Sequence, residues 1–336
     1  MKRKLLTRRI RVFKRHNTAN SSKYKLAIKQ KLNQTLASWN LKKITTGIFA
    51  VSIVIALVSS VMWYKNLYMT PERRFYAAVQ NSMSTPSVVR TLTEGGSGNQ
   101  VVQQFRFHFA PQRAIQNNVA YTQKSATQDT RVVTEGIIFP ESQYLRYTEY
   151  VSRNQGQTET NIDELLGEWA LEEALTDEEE SLTYLSEQVS LVIFGNFPQS
   201  VRSDFMNTIK NSGIYQVDFS QAIEEELDGE SVLIYPVSVK LKEYAALLNR
   251  SFELAGYGSF PALNPDNYRE DAEVNAQITI RKRDNTIVGV NFGGRDERYS
   301  GYGIVLQVEA PDATRSIEEL QDEVQRLFEE QVGGTE

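Results

Sequence analysis

The chain has 336 residues, with 37 Lys and Arg, 42 Asp and Glu, two His and no Cys. The absence of cysteine excludes disulfides, thiolate nucleophiles, Cys-ligated zinc or iron–sulfur sites and a cysteine-linked lipid. His16 and His108 are the only imidazoles and lie far apart in the sequence, so we expect no metal centre. Charge divides the chain, because residues 1–43 have a net charge of +14 and the remaining 293 residues a net charge of −19.

Residues 1–43 form a basic tail that contains 14 Lys and Arg and no acid. Its stretch 23–41 places Ile28, Leu32 and Leu36 at helical spacing. A basic amphipathic segment of this kind binds the anionic lipids of an inner leaflet. A solvated tail whose charges only set the topology explains the composition equally well. Nucleic acid is the least favoured partner, because no nucleic-acid motif accompanies the charge.

Residues 44–64 contain no charged side chain. A helix of this length reaches about 31 Å, which is enough to cross the hydrocarbon core of a bilayer. Trp63 and Tyr64 stand at one end of the run, where amphipathic rings favour the headgroup region. We therefore predict a single transmembrane helix that anchors the chain in the lipid bilayer.

The distribution of basic residues predicts the orientation of this helix. Fourteen basic residues precede it, and only Lys65, Arg73 and Arg74 follow closely, so the positive-inside rule places the N-terminus in the cytoplasm. A cleaved signal peptide has a shorter basic start and a shorter apolar run. We therefore expect a single-pass protein of the cell membrane with its C-terminal domain, 65–332, outside the cytoplasm and a flexible C-terminus at 333–336.

The first part of this domain reads as one helix followed by strands. Thr70 and Pro71 are typical of a helix start, and the pattern predicts a helix over 71–83. Alternating apolar residues and polar turns then predict five antiparallel strands, over 88–93, 101–109, 119–123, 131–139 and 144–151. In the second strand the alternation places His108 on a solvent-facing side with Arg106.

The second part begins with an acidic stretch, 159–187, in which the leucines predict a docked helical insertion. A solvated helix face is the favoured explanation of its six carboxylates within 172–180, ahead of calcium or a cationic partner. Helices are then predicted over 198–211, 241–255 and 317–332. Strands are predicted over 189–194, 215–219, 232–239, 274–280, 287–292 and 304–308.

This order of elements predicts the α+β class, with a curved, half-barrel-like antiparallel sheet packed on helices. The chain contains no GxSxG, HExxH, Walker A or GxGxxG motif, so we expect no catalytic, cofactor-binding or metal-binding residues and no enzyme activity. A carboxylate-based hydrolase of cell-wall polymers is the remaining catalytic alternative.

Four segments of the domain resemble the LolA/LppX-type lipoprotein carrier superfamily. They are NSMSTPS after the first helix, EGIIFPESQYLRYTEY, GESVLIYPVSVKLKEYAALL and the closing hairpin ITIRKRDNTIVGVNFG. The resemblance covers most of residues 71–332. It implies a half-open antiparallel barrel over helices that encloses an apolar cavity for acyl chains. Relatives of this type are soluble or acylated at a Cys, whereas this chain carries a predicted transmembrane helix. No individual functional residue is transferred.

The apolar stripes of the predicted sheet and helix are the binding candidates. They are Phe105, Phe107, Phe109, Ile137, Phe139, Leu145, Tyr147, Tyr244, Leu248 and Phe252. These faces would line a cavity in a lipid-binding protein and would form an ordinary core otherwise, and periodicity is the same in both cases. The first hypothesis is an anchored extracytoplasmic protein that binds a lipid or other apolar ligand. The alternative is a structural or assembly protein that docks envelope proteins through its acidic surface.

Overall fold

The computed structural model describes residues 25–31, 41–64, 69–96, 98–125, 127–154, 162–173, 188–255, 263–312 and 315–333. The predictions for the basic cluster, for Leu32 and Leu36, and for the C-terminus after 333 lie outside these residues. The chain divides into two compact units, Met1–Met69 and Thr70–Glu336.

The first unit contains a long apolar helix, α1, over Leu41–Trp63. Its part Thr46–Trp63 is long and apolar enough to cross a membrane, and its large apolar side chains are exposed. Two intrahelical bonds satisfy hydroxyl groups within it, from Ser52 to the carbonyl of Ile48 and from Ser60 to that of Ala56. A helix therefore forms where the sequence predicts the span. Residues 25–31 are also helical.

The second unit opens with helix α2, Pro71–Ser82. The hydroxyl of Thr70 accepts a hydrogen bond from the backbone N–H of Arg73 at 3.3 Å, and Pro71 occupies the first helical turn, where no N–H is required. Phe75 and Val79 are buried one turn apart. The predicted helix is confirmed, and its apolar face enters the main core.

The strands and remaining helices of this unit follow in chain order. The first strands are β1 Ser87–Gly95, β2 Asn99–His108, β3 Ala114–Lys124, β4 Gln128–Phe139, β5 Ser142–Asn154 and β6 Ala170–Glu173. Helix α3 covers Gln199–Ser212, and strands β7 Tyr215–Val217, β8 Ile223–Leu227 and β9 Glu230–Lys240 follow it. Helix α4 covers Leu241–Leu254, and it precedes β10 Glu273–Arg281, β11 Thr286–Phe292, β12 Arg295–Ser300, β13 Arg315–Ser316 and helix α5 Ile317–Gly333.

The described strands form one open sheet in the order β13-β6-β5-β4-β3-β2-β1-β12-β11-β10-β9-β7, and β8 pairs with β9. Every pair is antiparallel except β13 with β6. Helices α2, α3 and α4 bury Phe75, Phe205 and Tyr244 in the same core as Phe105 and Ile278 of the sheet. The predicted α+β class and the five-strand meander are confirmed.

A second, smaller core lies under α5. Leu165, Ala170, Ile317 and Leu320 form it, and Leu145 and Tyr147 pack against it. The strand register carries Phe105 to Asn117, Gly136 and then Leu145, so both cores lie on the same face of the sheet. The opposite face of these strands carries no helix core among the described residues.

The helical insertion predicted over 159–187 is wrong for the described residues 162–173. Asp163–Leu165 form one turn of 3₁₀ helix, and Ala170–Glu173 form strand β6. Leu165 and Ala170 are buried, because the apolar residues of this stretch pack beside the edge of the sheet under α5. The acidic residues 174–187 lie outside the described part of the chain.

The strand predicted over 189–194 is also wrong, since these residues cross the core without ladder partners. Hydrogen bonds from side chains take the place of the backbone bonds of a strand ladder. The carbonyl oxygens of Val189, Ser190, Leu191 and Ile193 accept hydrogen bonds from Arg90, Tyr244, Tyr215 and Ser82, respectively. Buried carbonyl groups need partners, and four side-chain donors supply them here. We call residues 188–198 the crossing segment.

The strand predicted over 304–308 is not formed, and a neighbouring strand was missed. The ladder partner of β1 is β12, whose sequence RDERYS is largely charged. Residues 304–308 are extended outside any ladder, and the hydroxyl of Ser87 donates to the carbonyl of Ile304 at 2.7 Å. Strand β8 was missed as well, because its sequence IEEEL is exposed and acidic.

Candidate functional site

A cavity of about 250 Å³ lies between strand β2, helix α4 and the crossing segment. Phe107 of β2 and Phe109, which directly follows that strand, form one wall, and Leu248 and Phe252 of α4 form another. The crossing segment contributes Ile193, Phe194 and Phe197. The cavity therefore sits on the helix-side face of the sheet and has mainly aromatic and aliphatic walls.

The aromatic wall follows from strand geometry. Side chains two residues apart share a face of a strand, so Phe105, Phe107 and Phe109 form a single row. Adjacent rings of this row are stacked, with centroids 6.0 Å apart for Phe105 and Phe107 and 6.2 Å apart for Phe107 and Phe109. Phe105 lies in the core, and the row reaches the cavity at its second and third rings.

The helical wall uses one face of α4. Leu248, Ser251 and Phe252 are spaced three and four residues apart, which places them on the same side of a helix. The hydroxyl of Ser251 donates to the carbonyl of Leu248 at 2.6 Å, so this polar group is satisfied within the helix. Leu254 lies one half-turn further, lines the cavity and is half exposed. The end of α4 therefore opens the cavity toward solvent.

A buried arginine lies within this apolar surface. Arg90 of β1 lines the cavity with 2% of its surface exposed. Its guanidinium carbon lies 5.0 Å and 5.1 Å from the ring centroids of Phe105 and Phe107, and Nη1 donates to the carbonyl of Val189 at 3.1 Å. Cation–π contact and one backbone acceptor thus compensate part of the cost of burying this charge.

A buried polar cluster adjoins the arginine. Glu297 is fully buried, and its Oε2 accepts a hydrogen bond from Ser190 Oγ at 2.7 Å and another from the hydroxyl of Tyr299. Burial, followed by the negative charge of Glu297, raises the pKa of Tyr299 well above its ordinary value, whereas the positive charge of Arg90 opposes the shift. The tyrosine hydroxyl therefore stays protonated as a donor at neutral pH.

The ten predicted binding residues are divided among the cavity, the two cores and the opposite face of the sheet. Phe107, Phe109, Leu248 and Phe252 line the cavity, and Phe105 and Tyr244 are buried in the core behind it. Leu145 and Tyr147 pack against the second core under α5. Ile137 faces the opposite side of the sheet, and Phe139 packs edge-on against Tyr144. One cavity thus brings together four of the ten residues.

Sequence reasoning missed the arginines and the crossing segment as parts of the cavity. For Arg90 a signal was present, because Val88, Arg90 and Leu92 alternate along β1 and all three are buried. A charge at an inward position of an apolar alternation indicates a functional or paired group. For Phe194 and Phe197 the sequence contains no signal, because the crossing segment is irregular and follows neither a helical nor a strand period.

The solvent-facing position predicted for His108 is wrong. His108 is buried, and its Nε2 lies 3.3 Å from Oε1 of Gln116. Burial lowers the pKa of His108, the contact with Gln116 opposes this change, and the charge of Arg106 adds to it. No group of three or more His, Asp or Glu that could hold a metal occurs within the described residues.

No family model and no curated protein matches the chain. The solved structures with a similar backbone include the following two. One is LprF from Mycobacterium bovis, with 11% identity over 72% of this chain and 96% of that chain and a TM-score of 0.36. The other is a beta-barrel-like protein of a domain of unknown function from Brucella abortus, with 8% identity over 67% of this chain and 99% of that chain and a TM-score of 0.23. Both likenesses are coarse fold-level matches, and neither identifies a ligand for this chain.

Proposed function

We propose that the chain is a single-pass membrane protein whose domain from residue 70 onward lies outside the cytoplasm and binds a lipid or another apolar ligand, without catalysis. The observation that carries the proposal is the cavity beside β2 and α4. Concave, mostly apolar sites with a few polar groups are the usual form of small-molecule binding sites. The aromatic and aliphatic residues of the three walls named above supply the apolar contact.

The size of the cavity limits the ligand. Its volume of about 250 Å³ lies just below the range of roughly 300–1,000 Å³ common for pockets that bind drug-sized molecules. A single acyl chain, or one part of a larger lipid, fits such a space better than a whole multi-chain lipid. The half-exposed Leu254 at the rim leaves a route for the rest of the molecule.

Charge favours a ligand with an acidic end. Arg90 and Arg113 both line the cavity, and no Asp or Glu is among the described residues that line it. Arg113 is exposed, so its guanidinium group lies near solvent at the edge of the cavity. Guanidinium groups bind carboxylate and phosphate through charge-assisted hydrogen bonds. A fatty acid or an anionic lipid therefore matches the cavity better than a neutral hydrocarbon.

The membrane part of the proposal rests on α1 and on charge. The apolar stretch Thr46–Trp63 has the length and composition of a span. The net charge of +14 before it supports a cytoplasmic N-terminus by the positive-inside rule. An anchored domain would hold or present its ligand at the membrane.

Photo-crosslinking tests the binding function with the full chain in nanodiscs of zwitterionic lipid. The probe is palmitic acid that carries a diazirine on its chain, and mass spectrometry maps the labelled residues. We expect labelling of Phe107, Phe109, Leu248 or Phe252. Labelling confined to α1, with none at the cavity, would contradict the proposal.

Matched variants on α4 sharpen this experiment. Ser251→Leu adds bulk to a buried position that lines the cavity, and Ala246→Leu adds similar bulk to an exposed position of the same helix. We expect the first variant alone to reduce labelling of the cavity. The diazirine analogue of the corresponding fatty alcohol tests the acidic end, and we expect weaker labelling with it.

A docking role in the envelope is the second candidate. Ile304, Val305 and Leu306 are about half exposed in a segment without ladder partners. Consecutive exposed aliphatic side chains are typical of an interaction surface. If docking is the function, the triple change of these residues to Ser will abolish crosslinks to other envelope proteins and leave fatty-acid labelling unchanged.

A further inference from the structure

A polar groove of about 370 Å³ lies on the sheet face opposite the helices. Phe105 and Phe107 of β2 point into the helix-side core, so the residues between and beside them point away from it. Gln104 and Arg106 are those residues, and both line the groove. The groove is therefore separated from the aromatic cavity by the thickness of the sheet.

Strand register arranges the groove in two rows. Gln104, Asn118, Glu135 and Arg146 are successive partners across β2, β3, β4 and β5. Arg106, Gln116 and Ile137 form the adjacent row. Gln104 of β2 and Gln116 and Asn118 of β3 thus place three amide side chains on this face, whereas the helix side of the same strands buries Phe105, Phe107 and Ile115. The groove thus presents planar polar groups side by side.

One end of the groove is held in place by an ion pair and an aromatic ring. Arg146 Nε donates to Oε2 of Glu135 at 2.9 Å. The guanidinium carbon of Arg146 also lies 4.5 Å from the ring centroid of Trp169, which precedes β6. Trp169 is half-buried and lines the groove. The pair and the ring form a rigid wall, because each restricts the rotamers of the other.

The centre of the groove contains polar side chains that can contact a ligand. Within the described residues, the side chains of Gln104, Arg106 and Asn118 make no hydrogen bond or ion pair, although their backbones pair in the ladders. Gln116 contacts His108. The charges of Arg146 and Glu135 cancel, so Arg106 leaves the groove with one net positive charge. Such a surface matches a ligand that carries hydroxyl groups together with one acidic group.

We propose that the polar groove binds a saccharide that carries a carboxylate. Amide side chains donate and accept at once, which suits the neighbouring hydroxyl groups of a sugar ring. The guanidinium group of Arg106 pairs with the carboxylate. The partly exposed ring of Trp169 provides an apolar surface for the C–H face of the sugar. This site is independent of the proposed lipid function, because it uses the other face of the sheet.

Isothermal titration calorimetry with the full chain in zwitterionic nanodiscs tests the proposal. The probes are trigalacturonate and sialyllactose, which carry carboxylates, and maltotriose, which is neutral. We expect a carboxylated probe to bind with a dissociation constant below about 1 mM and maltotriose to bind at least about tenfold more weakly. Absence of binding by both carboxylated probes overturns the proposal.

Variants separate the groove from general charge effects. Arg106→Gln removes the unpaired cation, and Arg131→Gln removes an exposed cation that pairs with Glu149 at 3.0 Å elsewhere on the same sheet. We expect Arg106→Gln to weaken binding about tenfold and Arg131→Gln to leave it unchanged. Trp169→Leu should also weaken binding. An unchanged thermal midpoint of Arg106→Gln is the control that this variant remains folded.

Two outcomes of these titrations count against a saccharide site. Equal losses for Arg106→Gln and Arg131→Gln would show that net charge alone attracts the probes. Triglutamate that binds as tightly as trigalacturonate would show that the groove recognises acidic peptides or any polyanion.

Discussion

The hydroxyl of Tyr244 donates a hydrogen bond of 2.6 Å to the backbone carbonyl of Ser190. Both groups are buried, and burial raises the pKa of Tyr244 well above its ordinary value, so the donor keeps its proton. The bond joins α4 to the crossing segment, which has no ladder of its own. Tyr244 was expected to contact a ligand, and this geometry assigns it to the support of the cavity wall.

Tyr244→Phe should therefore destabilise the domain without changing the lining of the cavity. A buried carbonyl that loses its donor costs about 1–3 kcal/mol in the free energy of unfolding. Urea titration of the full chain in detergent micelles measures this loss. Tyr121→Phe is the control, because its hydroxyl contacts Gln123 on a half-buried strand surface, and we expect a change within about 0.5 kcal/mol. Equal losses in both variants would contradict the role of the crossing segment.

Arg281 should stabilise the β10–β11 hairpin more than its neighbour Arg283 does. Arg281 Nη1 lies 2.9 Å from Glu230, and its Nη2 lies 2.7 Å from Asp284, in a side chain that is 22% exposed. Arg283 lies 3.0 Å from the same Glu230 but is 72% exposed. We expect Arg281→Ala to cost about 1–3 kcal/mol and Arg283→Ala less than about 1 kcal/mol, because solvent screens the exposed pair.

Thermal or urea unfolding at low and high salt checks this difference. Added salt should reduce the small effect of Arg283→Ala further and should leave most of the effect of Arg281→Ala. Arg281 Nε and Nη2 donate to the two carboxylate oxygens of Asp284. If the two arginines cost the same at both salt concentrations, this bidentate contact contributes nothing and the interpretation is wrong.

His108 should make the stability of the domain depend on pH. Its pKa in the folded state is lowered, mainly by burial, from an unfolded value of about 6.5. The unfolded state therefore binds a proton more readily, so the stabilising contribution is complete above about pH 6.5 and is lost as the pH falls toward the folded pKa. We expect the free energy of unfolding to decrease between about pH 7 and pH 5.

His108→Gln should flatten this pH dependence, since glutamine does not titrate and retains a polar group beside Gln116. His16→Gln is the matched control for the loss of an imidazole and should keep the slope of the natural chain. Thermal midpoints between about pH 5 and pH 8 provide the measurement. A slope in His108→Gln equal to that of the natural chain would show that other groups cause the pH dependence.

The sequence predicted the helices and the meander because one clear period governs each of them. In α2 and α4 the buried residues recur every three to four positions, and in β2 the phenylalanines occupy every second position. In β12 the alternation is hidden. Glu297 and Tyr299 point inward, so the inward positions look as polar as the outward Asp296 and Arg298. Only the tertiary partners, Ser190 among them, make an inward glutamate acceptable.

The cavity was predictable only in part, because a sequence period reveals only the walls that belong to a regular strand or helix. Phe107 and Phe109 follow from the period of a strand, and Leu248 and Phe252 from that of a helix. The third wall is the crossing segment, whose carbonyl partners come from four distant positions in the chain. No local pattern encodes such partners. Leu145 and Tyr147 do not reach the cavity, because they pack in the second core, where α5 covers that end of the sheet. The sequence of the strands does not reveal where a terminal helix packs.

The orientation of the chain in the membrane is the last prediction. The fourteen basic residues of 1–43 should hold the N-terminus in the cytoplasm, because translocation of a strongly basic segment is unfavourable. Alkaline phosphatase fused after residue 336 in a bacterial host should be active, since this enzyme folds only outside the cytoplasm, and a green fluorescent protein fused there should be dark. Replacement of the basic residues of 1–43 by Gln should lower the phosphatase activity by mixing the two orientations. Protease added to intact cells should digest the domain beyond residue 70, while an epitope tag added at the N-terminus stays protected. A bright fluorescent fusion and a protected domain would place the domain in the cytoplasm, and the proposed extracytoplasmic binding functions would then have to be abandoned.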